Sequence, residues 1–424
     1  MLVMKLLIST YACAPDHGSE HAVGWNWTTE AHRLGHQVWA LASTVHRAAI
    51  EAACRHDAGL AGINWIFPEV AGWTLRPGIE PVWERTYNLL WQRVALRHAR
   101  ALHREVAFDA VHHLTWGGVR APTFLGALGA PLIVGPVGGG ETSPPALRNV
   151  FTLRSRIAER LRDISNATIT INPITRAGLA QAKIIFVKTP DTLTLFSESM
   201  RRKSRAFLEL TQQRSQLGSP RTLPSGSARL LFAGRLLYWK GAHIAIRALA
   251  QLLPRVPEAR LTIVGRGPER ERLMAEAAAM NLSDRIEFIP WLPQPQLFAL
   301  YENHDLLVFP SLHDSSGNVI LEALAHGLPV ICLDLGGPRH IVTPQSGIVV
   351  STAARDTMGV ASAIADEIRD MLAEPARFAA LSSGAIMRAR EFDLSYRVGA
   401  LYRVAADAIG VAPAPAPAVS VLPV

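Results

Sequence analysis

Two acidic residues separated by a short apolar helical pattern form the group in this chain best suited to chemistry. Asp314 and Glu322 stand eight positions apart, and Gly317 and Asn318 lie between them at the start of that pattern. A helix that begins there offers backbone N–H groups without intrahelical partners, and such groups suit an anion. The stretch therefore predicts a phosphate site between a strand and a helix.

The two carboxylates would repel a phosphate unless they bind something else. Sugar hydroxyls are a suitable partner, because carboxylates accept their hydrogen bonds strongly and a nucleotide sugar has hydroxyls on both sides of its diphosphate. Taken alone, Glu322 is more simply explained as part of the solvated face of a surface helix, since most charged residues are exposed. The surrounding residues favour the sugar interpretation.

A second group of candidate residues follows Arg229–Ala233, which is predicted to be a strand. Gly234 and Arg235 come directly after it, and Lys240 follows shortly. Arg can direct two donors at diphosphate oxygens, and Lys adds a compact mobile charge. Strand ends of this kind bind phosphates in doubly wound sheets. For the two cations alone, a pair of solvated surface residues is an equally good explanation.

The segment from Asp314 to Ile331, DSSGNVILEALAHGLPVI, resembles the E-x7-E segment of the retaining glycosyltransferases of family four, which have the GT-B fold. The residues from Gly234 to Gly241 resemble the G-R-x4-K-G motif of the same family. By this resemblance Glu322 holds the ribose hydroxyls of the donor, and Asp314 holds the transferred sugar. Asp314 replaces the usual Glu, which withdraws the carboxylate by about 1.5 Å and leaves the identity of the sugar open.

The first half of the chain resembles a bacterial exopolysaccharide branch of this family. The loop CAPDHGSEHAVGW places Gly18 and Ser19 where the backbone of that branch approaches the donor diphosphate, and FDAVHHLTWGGVRAP and GPVGGGE fit the same branch. By match, His112 contacts the transferred sugar or the acceptor region. Neighbouring strand residues point to opposite faces, so His113 remains an alternative. A buried core histidine is also open for either position.

The resemblance implies that Arg235, Lys240 and His112 are catalytic. The implied donor-binding residues are Gly18, Ser19, Gly234, Asp314, Gly317, Asn318, Val319 and Glu322. A diphosphate held by cations and a helix N-terminus can leave without a metal, and no D-x-D sequence occurs in the chain. We therefore expect no metal site and no cofactor, with a nucleotide-diphosphate sugar as the substrate. Transfer in the family retains the anomeric configuration by same-face attack, so no enzymic nucleophile is assigned.

Predicted strands alternate with predicted helices along the whole chain, which is typical of Rossmann-like sheets. The expected fold class is α/β of the GT-B type, with two Rossmann-like domains facing across a cleft and a C-terminal helix that crosses back to the first domain. The predicted parts are an N-terminal acceptor domain over 1–210, a linker over 211–227, a C-terminal donor domain over 228–392, the returning helix over 393–410, and a disordered Pro/Ala tail over 411–424.

The composition indicates a globular protein of a reducing compartment. Hydrophobic residues make up 49% of the chain and charged residues 18%, so a folded core is expected. The three cysteines, Cys13, Cys54 and Cys332, are scattered and lack C-x-x-C spacing, which favours the cytoplasm over secretion. The short apolar N-terminus contains Lys5, so it is interpreted as the first strand and not as a signal peptide.

The basic excess lies in the first half of the chain. Before Ser225 there are 25 Lys and Arg against 16 Asp and Glu, and the remainder has 18 against 19. Between Thr86 and Val106, arginines such as Arg97, Arg100 and Arg104 accompany apolar residues at helical spacing. Such a helix suits an anionic membrane surface, but a core-packing helix with a solvated basic face explains it equally well. Nucleic acid is not an expected partner, because no nucleic-acid module accompanies the charge.

The predicted function is transfer of a hexose to a lipid-linked or glycan acceptor in bacterial surface glycan synthesis, in the cytoplasm or on the inner face of the membrane. An oxidoreductase would need a G-x-G-x-x-G motif after the first strand, where Gly18 stands alone. A periplasmic-type binding protein would need an export signal. A sugar-nucleotide epimerase of the same fold and a non-catalytic sugar-nucleotide-binding protein are the nearest alternatives.

Overall fold

The computed structural model describes residues 3–73, 81–121, 123–169, 171–222 and 228–411. Residues 412–424 of the predicted tail and 223–227 of the predicted linker lie outside these ranges. The chain divides into two compact units. The first unit consists of Met1–Gly140, Asn166–Glu209 and Leu394–Val424, and the second consists of Glu141–Ser165 and Leu210–Asp393.

A parallel sheet lies at the centre of each unit. The strands are β1 (Lys5–Ser9), β2 (Gln37–Leu41), β3 (Asn64–Ile66), β4 (Ala110–His113), β5 (Leu132–Val137), β6 (Ala182–Val187), β7 (Ser204–Ala206), β8 (Arg229–Ala233), β9 (Arg260–Val264), β10 (Ile286–Ile289), β11 (Leu306–Phe309), β12 (Val330–Leu333) and β13 (Gly347–Val350). Their order is β3-β2-β1-β4-β5-β6-β7 in the first unit and β10-β9-β8-β11-β12-β13 in the second.

Helices connect the strands in both units. They are α1 (Ser19–Arg33), α2 (Arg47–His56), α3 (Pro81–Val106), α4 (Leu153–Ala167), α5 (Pro173–Ala180), α6 (Pro190–Thr194), α7 (Glu198–Arg202), α8 (Ala242–Leu252), α9 (Arg270–Ala279), α10 (Gln294–Asn303), α11 (Asn318–Ala325), α12 (Pro338–Ile341), α13 (Thr357–Ala373), α14 (Pro375–Arg390) and α15 (Leu394–Ile409). Within the described ranges, none of them combines the length and apolar character needed to cross a membrane.

Helices cover both faces of the first sheet, as a buried parallel sheet requires. On one face, Leu7 and Val111 pack with Trp91 of α3. On the other face, Ile8 packs in a core that includes Leu401 of α15. The predicted C-terminal helix is therefore present as α15 and belongs to the first unit.

Helix α3 contains the segment Thr86–Val106, for which the sequence left two interpretations open. Its Tyr87, Trp91, Ala95 and Ala99 are buried in the core of the first unit. The core-packing alternative therefore applies to α3, and its arginines form a solvated face.

The second sheet is covered in the same way. Leu230 of β8, Ile244 of α8 and Ile364 of α13 lie in one hydrophobic core. Each unit is thus a Rossmann-like layer of helices, sheet and helices, which confirms the predicted α/β class.

One segment falls in a different unit from its neighbours along the chain. The sequence analysis placed it within the domain over 1–210, but Glu141–Ser165 is part of the second unit. Leu147 and Phe151 lie in the core of that unit, which anchors the segment there. Strand and helix periodicity describes local structure only, so the pattern carries no sign of this exchange.

Candidate functional site

The order of strands in the second sheet reverses between β8 and β11. The chain continues from β8 to β9 on one side and from β11 to β12 on the other, so the two loops separate at the carboxyl edge of the sheet. Such a reversal opens a crevice in doubly wound sheets and is where ligands bind. The loop after β8 carries Gly234, Arg235 and Lys240, and the loop after β11 carries Asp314 and Gly317.

Lys240 and Asp314 form a salt bridge across these two loops. Both side chains are largely shielded from solvent, with 19% and 17% of their surface exposed. The ammonium group also lies 5.5 Å from the centroid of the Phe309 ring. The predicted phosphate-binding cation and the predicted sugar-binding carboxylate are therefore already in contact, which the sequence analysis did not predict.

Two glycines allow the backbone to reach this geometry. Gly241 has a φ of 80°, and a Cβ there would lie 2.0 Å from the carbonyl oxygen of Pro310. Gly336 has a φ of 55°, and a Cβ there would lie 2.2 Å from the carbonyl oxygen of Asp314. No other residue type fits such contacts without moving the loops. The glycines thus fix the approach of the loops that carry Lys240 and Asp314.

Helix α11 begins directly beside the Asp314 loop. Gly317 precedes the helix, and its carbonyl oxygen accepts a hydrogen bond from the N–H of Ile320 at 2.9 Å. Within the part of the chain that the structure describes, no acceptor is paired with the N–H groups of Asn318 and Val319. Two backbone donors of the first helical turn are therefore open to an anion, as the sequence predicted.

Glu322 lies one turn further along α11. The hydroxyl of Tyr301, a fully buried side chain, donates a hydrogen bond to its Oε2 atom at 2.9 Å. Burial raises the pKa of Glu322, and the hydrogen bonds it accepts from Tyr301 and Gln294 oppose that rise. The Glu322 carboxylate is therefore fixed by hydrogen bonds and is not a freely solvated surface group.

Arg235 differs from Lys240 in its surroundings. It follows β8 directly, is exposed, and its guanidinium forms no hydrogen bond or ion pair within the described ranges. Its donors are therefore available to a ligand at the same sheet edge. The second unit thus contains all of the site residues that the sequence predicted after residue 228, on the loops after β8 and β11 and on α11.

The structure adds a buried carboxylate that the sequence analysis missed. Glu159 of α4 is fully buried and accepts hydrogen bonds from the Tyr238 hydroxyl and from Nε2 of His313, each at 3.0 Å. The Trp239 ring stacks on the His313 ring at a centroid distance of 4.9 Å. Tyr238 stands two positions before Lys240, and His313 stands directly before Asp314. They lie 79 and 154 positions from Glu159, so no local sequence signal could have linked them.

The environment of Glu159 favours its charged form. Burial alone would raise the pKa of this carboxyl group, but the hydrogen bond and charge of His313, together with the Tyr238 hydroxyl, outweigh it and lower the pKa to about 2. Arg148 adds a further positive charge, with Nη2 3.8 Å from Oε2 of Glu159. Glu159 is therefore ionised under all ordinary conditions and holds the residues next to the candidate site.

A second carboxylate, Glu141, supports the Asp314 loop. It is 1% exposed, and its Oε2 atom accepts a hydrogen bond from the Ser315 hydroxyl at 2.8 Å. The sequence analysis used Glu141 only as the end of the GPVGGGE match. The position of Glu141 in that motif was the sequence feature that could have identified it as a site residue.

The remaining predicted residues belong to the first unit. Gly18 and Ser19 are exposed at the start of α1, and Ser19 has a φ of 57°, which is unusual for a residue other than glycine. The adjacent Glu20 accepts a hydrogen bond from the N–H of Gly117 at 2.6 Å. This contact ties the loop after β1 to the loop after β4, where the order of the first sheet reverses.

His112 and His113, at the end of β4, have different surroundings. Both are buried. The His112 ring lies 2.9 Å from the Tyr402 hydroxyl through Nδ1 and 2.7 Å from the carbonyl oxygen of Gly135 through Nε2. This is the arrangement of a core histidine, because both ring nitrogens are engaged inside the unit. Within the described ranges, neither ring nitrogen of His113 has a hydrogen-bond partner, in contrast to those of His112.

Burial dominates the protonation of both rings. It lowers the pKa of His112 to about 4, although the hydrogen bond to Gly135 acts in the opposite direction. It also lowers the pKa of His113 to about 4, with a smaller contribution from the neighbouring ring. Both histidines are therefore neutral near pH 7. Among the described residues, no group of three or more His, Cys, Asp or Glu side chains is arranged to hold a metal ion.

Residues 215–386 match the family described as Glycosyl transferases group 1. We call residues 215–386 the group 1 segment. The group 1 segment includes every predicted site residue of the second unit, so the family match and the switch-point geometry point to the same residues.

Individual relatives are similar to this chain over part of its length. Over 158 residues, the chain is 38% identical to a protein named glycogen synthase from Mycobacterium tuberculosis; the match covers 37% of this chain and 36% of that protein. The matched part amounts to between 36% and 58% of the length of the curated relatives compared.

Solved structures resemble the whole chain more fully. Sucrose-phosphate synthase from Thermosynechococcus elongatus has a TM-score of 0.66 at 18% identity, with 95% of this chain and 98% of that chain covered. The Anabaena protein HepE in complex with UDP and glucose has a TM-score of 0.59 at 16% identity, with 95% and 99% covered. At these identities the likeness concerns the fold, and it confirms the predicted GT-B fold of two Rossmann-like domains.

Proposed function

We propose that the protein is a glycosyltransferase that moves a sugar from a nucleotide-diphosphate sugar to an acceptor, without a metal and with retention of configuration. The observation that carries this proposal is the convergence of Arg235, Lys240 and the open N–H groups of α11 at one reversal of strand order. All of them lie in the group 1 segment, residues 215–386.

The cations and the helix N-terminus suit a leaving diphosphate. As the bond from the sugar to the diphosphate breaks, negative charge grows on the phosphate oxygens, and preplaced positive groups stabilise it. Arg235 can direct two donors at these oxygens, while Lys240 supplies a compact charge. The N–H groups of Asn318 and Val319 add the dipole of α11.

The two carboxylates of the site take the sugar hydroxyls in this proposal. When a diphosphate binds, Lys240 exchanges Asp314 for a phosphate oxygen, and Asp314 becomes available to a hydroxyl of the transferred sugar. Glu322, held by Tyr301, accepts from the ribose hydroxyls of the nucleotide. The acceptor attacks from the face that the diphosphate leaves, so no nucleophile of the enzyme is required and none is assigned.

Two of the similar proteins support a hexose donor. The Anabaena structure is a complex with UDP and glucose, and the Mycobacterium relative is named a glycogen synthase. We extend this to the present chain as a hexosyltransferase. For the acceptor, the resemblance of the loop around Gly18 to an exopolysaccharide branch favours a lipid-linked or glycan intermediate of surface glycan synthesis in the cytoplasm. We propose that His113, whose ring nitrogens have no partner within the described ranges, takes the role first assigned to His112.

Product analysis tests the proposal directly. The protein is first screened by thermal shift against nucleoside diphosphates, since a ligand at 100 times its dissociation constant stabilises by about 2.7 kcal/mol. It is then incubated with the matching sugar nucleotides, and both the released nucleoside diphosphate and the anomer of the product are followed by NMR. We expect nucleotide release with the donor configuration retained in the product.

The same experiment separates the alternatives. Release of an epimer of the sugar nucleotide would identify an epimerase, and nucleotide binding without any turnover across donors and acceptors would identify a binding protein. An inverted product would leave the transferase assignment intact but contradict the same-face mechanism.

A further inference from the structure

Helix α4 presents an apolar stripe to solvent. Leu153, Ile157, Leu161 and Ile164 are exposed by 75%, 49%, 62% and 60% of their surface. Positions three and four apart lie on one face of a helix, so these four side chains form a single stripe along α4. Large apolar side chains grouped in this way, as opposed to scattered singly, mark an interaction surface.

The opposite face of α4 is fixed to the second unit, so the stripe cannot turn inward. Glu159 is fully buried among Tyr238 and His313. Asp163 is bridged to Arg148 at 2.6 Å, which holds the following turn. The outward direction of the stripe is therefore set by polar contacts on the inner face.

Basic residues border the stripe. Arg154, Arg156 and Arg160 are all exposed. At 3.6 residues per turn, Arg156 and Arg160 lie along one side of the stripe and Arg154 lies along the other. Of the two acidic residues of the helix, Glu159 is fully buried, and Asp163, whose side chain is 40% exposed, is paired with Arg148. The outward face of α4 is thus apolar along its centre and positive along its edges.

We propose that α4 docks this protein on the surface of an anionic lipid membrane. The apolar stripe would enter the boundary between headgroups and acyl chains, and the bordering arginines would bind headgroup phosphates, as expected for a helix lying in the interface. The charge pattern selects this occupant over a protein partner, because it places cations on both edges of the stripe and no exposed acid between them. A membrane-spanning segment is not needed for such binding.

The proposal moves the membrane contact from α3 to α4. The sequence analysis considered the basic segment Thr86–Val106 for this role, but α3 uses its apolar residues in the core of the first unit. Its Arg97, Arg100 and Arg104 are exposed without an apolar stripe beside them. Helix α3 therefore provides a natural control with the same kind of charge.

Vesicle flotation with the full chain tests the proposal. The probes are vesicles of phosphatidylcholine alone and vesicles that also contain phosphatidylglycerol. Binding should appear with the anionic vesicles and weaken as salt is raised. Leu153→Gln, Ile157→Gln and Leu161→Gln combined should lower the vesicle partition coefficient by about tenfold or more, because the stripe no longer transfers apolar surface from water. Arg154→Gln, Arg156→Gln and Arg160→Gln combined should lower it by about a hundredfold at low salt.

The matched control replaces Arg97, Arg100 and Arg104 of α3 by Gln, and it should retain most of the binding. Unchanged thermal shifts with nucleoside diphosphate confirm that each variant is folded. Equal loss in the α3 control would show that charge alone acts and would overturn the assignment to α4. A protein that stays off anionic vesicles at low salt, or that dimerises in sedimentation through the α4 stripe, would overturn the membrane proposal. Neither result depends on transferase activity.

Discussion

Lys240 and Arg235 carry the same charge, but they differ in whether another side chain binds it. Lys240 is paired with Asp314, whereas Arg235 has no partner within the described ranges. A bound diphosphate carries more charge than one carboxylate, so it can draw Lys240 away from Asp314. Arg235 loses only solvent when it binds. Under the proposed function, Lys240 would therefore couple donor binding to the release of Asp314, and Arg235 would only clamp the diphosphate.

Removal of either cation should slow the chemical step. We expect Lys240→Ala and Arg235→Ala each to lower kcat by about a hundredfold or more, because charge on the leaving group is no longer stabilised. Lys240→Ala also leaves Asp314 unpaired beside the phosphates, so it should raise KM more than Arg235→Ala does. Steady-state kinetics with the donor varied measures both effects.

The control for these variants is Arg255→Ala. It removes one arginine from an exposed ion pair with Asp366, which lies far from Arg255 in the sequence. Its kinetics should match those of the unchanged protein. Wild-type kcat in both Lys240→Ala and Arg235→Ala would contradict the assigned leaving-group role.

At neutral pH, Glu322 should lower the free energy of unfolding while it strengthens nucleotide binding. Burial raises its pKa, so the folded protein binds this proton more readily than the unfolded chain. The resulting stability is present below the unfolded pKa and is lost as pH rises through the folded pKa. At neutral pH, Glu322→Gln should therefore raise the free energy of unfolding while it weakens nucleotide binding by about tenfold or more, because a charge-assisted hydrogen bond is lost.

The pH dependence of binding distinguishes this role from a structural one. Nucleotide affinity of the unchanged protein should fall as pH drops through the raised pKa of Glu322, whereas Glu322→Gln should bind weakly throughout. Calorimetric titration across pH measures the nucleotide affinity. The control is Glu287→Gln, which changes an exposed side chain of β10. Parallel pH profiles for Glu322→Gln and the unchanged protein would exclude Glu322 as the pH-sensitive group.

Sequence reasoning identified residue types well and residue partners poorly. Arg235, Lys240, Asp314 and Glu322 were placed in one site from their motifs, because spacing after a strand fixes which sheet edge a residue occupies. The Lys240 pairing with Asp314 and the engagement of His112 depend on contacts between distant segments. Alternation along a strand could divide the two histidines between faces, but it could not show which face was filled by the core.

At the scale of elements, Glu159 joins helix α4 to the loops after β8 and β11. Its partners Tyr238 and His313 stand next to Lys240 and Asp314, so loss of the Glu159 charge should disturb both the helix and the site. The buried carboxylate is held in its ionised form by its partners, and its pKa is lowered to about 2. Such a group stabilises the fold above its unfolded pKa, and that stability is lost as pH falls towards the folded pKa.

Glu159→Gln should lower the free energy of unfolding at neutral pH, because the lowered pKa means that the folded state favours the charged carboxylate. The difference from the unchanged protein should shrink as pH falls below the unfolded pKa. Urea unfolding followed at several pH values measures it. Glu302→Gln is the matched control, because Glu302 also contacts a histidine but is 63% exposed, and it should change stability little.

Strands and helices could be predicted from the sequence where their local patterns were strong. The buried strand β8 was predicted with the bounds that the structure has, since an apolar run between turn residues defines it. The edge strands β3 and β7 were missed, because three residues are too few to show a pattern. Helix α4 was counted with the first half of the chain, since its inner-face contacts are all long-range.

At the scale of the whole molecule, the two units repeat one construction. Each has a parallel sheet with its own core and one reversal of strand order, and each places loops at that reversal. Among the described residues, the cations and the open helix N-terminus of the proposed diphosphate site lie in the second unit, and the first unit contributes the loop at Gly18 and Ser19. Binding of a nucleoside diphosphate should therefore slow amide hydrogen exchange in the second unit more than in the first.

Hydrogen exchange tests this asymmetry. With a saturating nucleoside diphosphate, we expect slower exchange at residues 234–241 and 314–322, where backbone and side chains meet the ligand. Residues 37–41 of the first unit serve as the internal control and should exchange as before. Protection confined to the first unit would contradict placement of the donor site in the second.

Metal independence is the remaining part of the proposed function that concerns the whole molecule. The charge that a divalent cation supplies to a leaving diphosphate in other transferases is here assigned to Arg235, Lys240 and the N-terminus of α11. Initial rates of transfer should therefore be unchanged after EDTA treatment, and added Mg²⁺ or Mn²⁺ should not raise them. The matched comparison is Lys240→Ala in the presence and absence of Mg²⁺, since partial rescue of that variant alone would show that the lysine stands where a cation could act. Complete loss of transfer by the unchanged protein in EDTA, restored by Mg²⁺, would contradict the proposed charge distribution at the site.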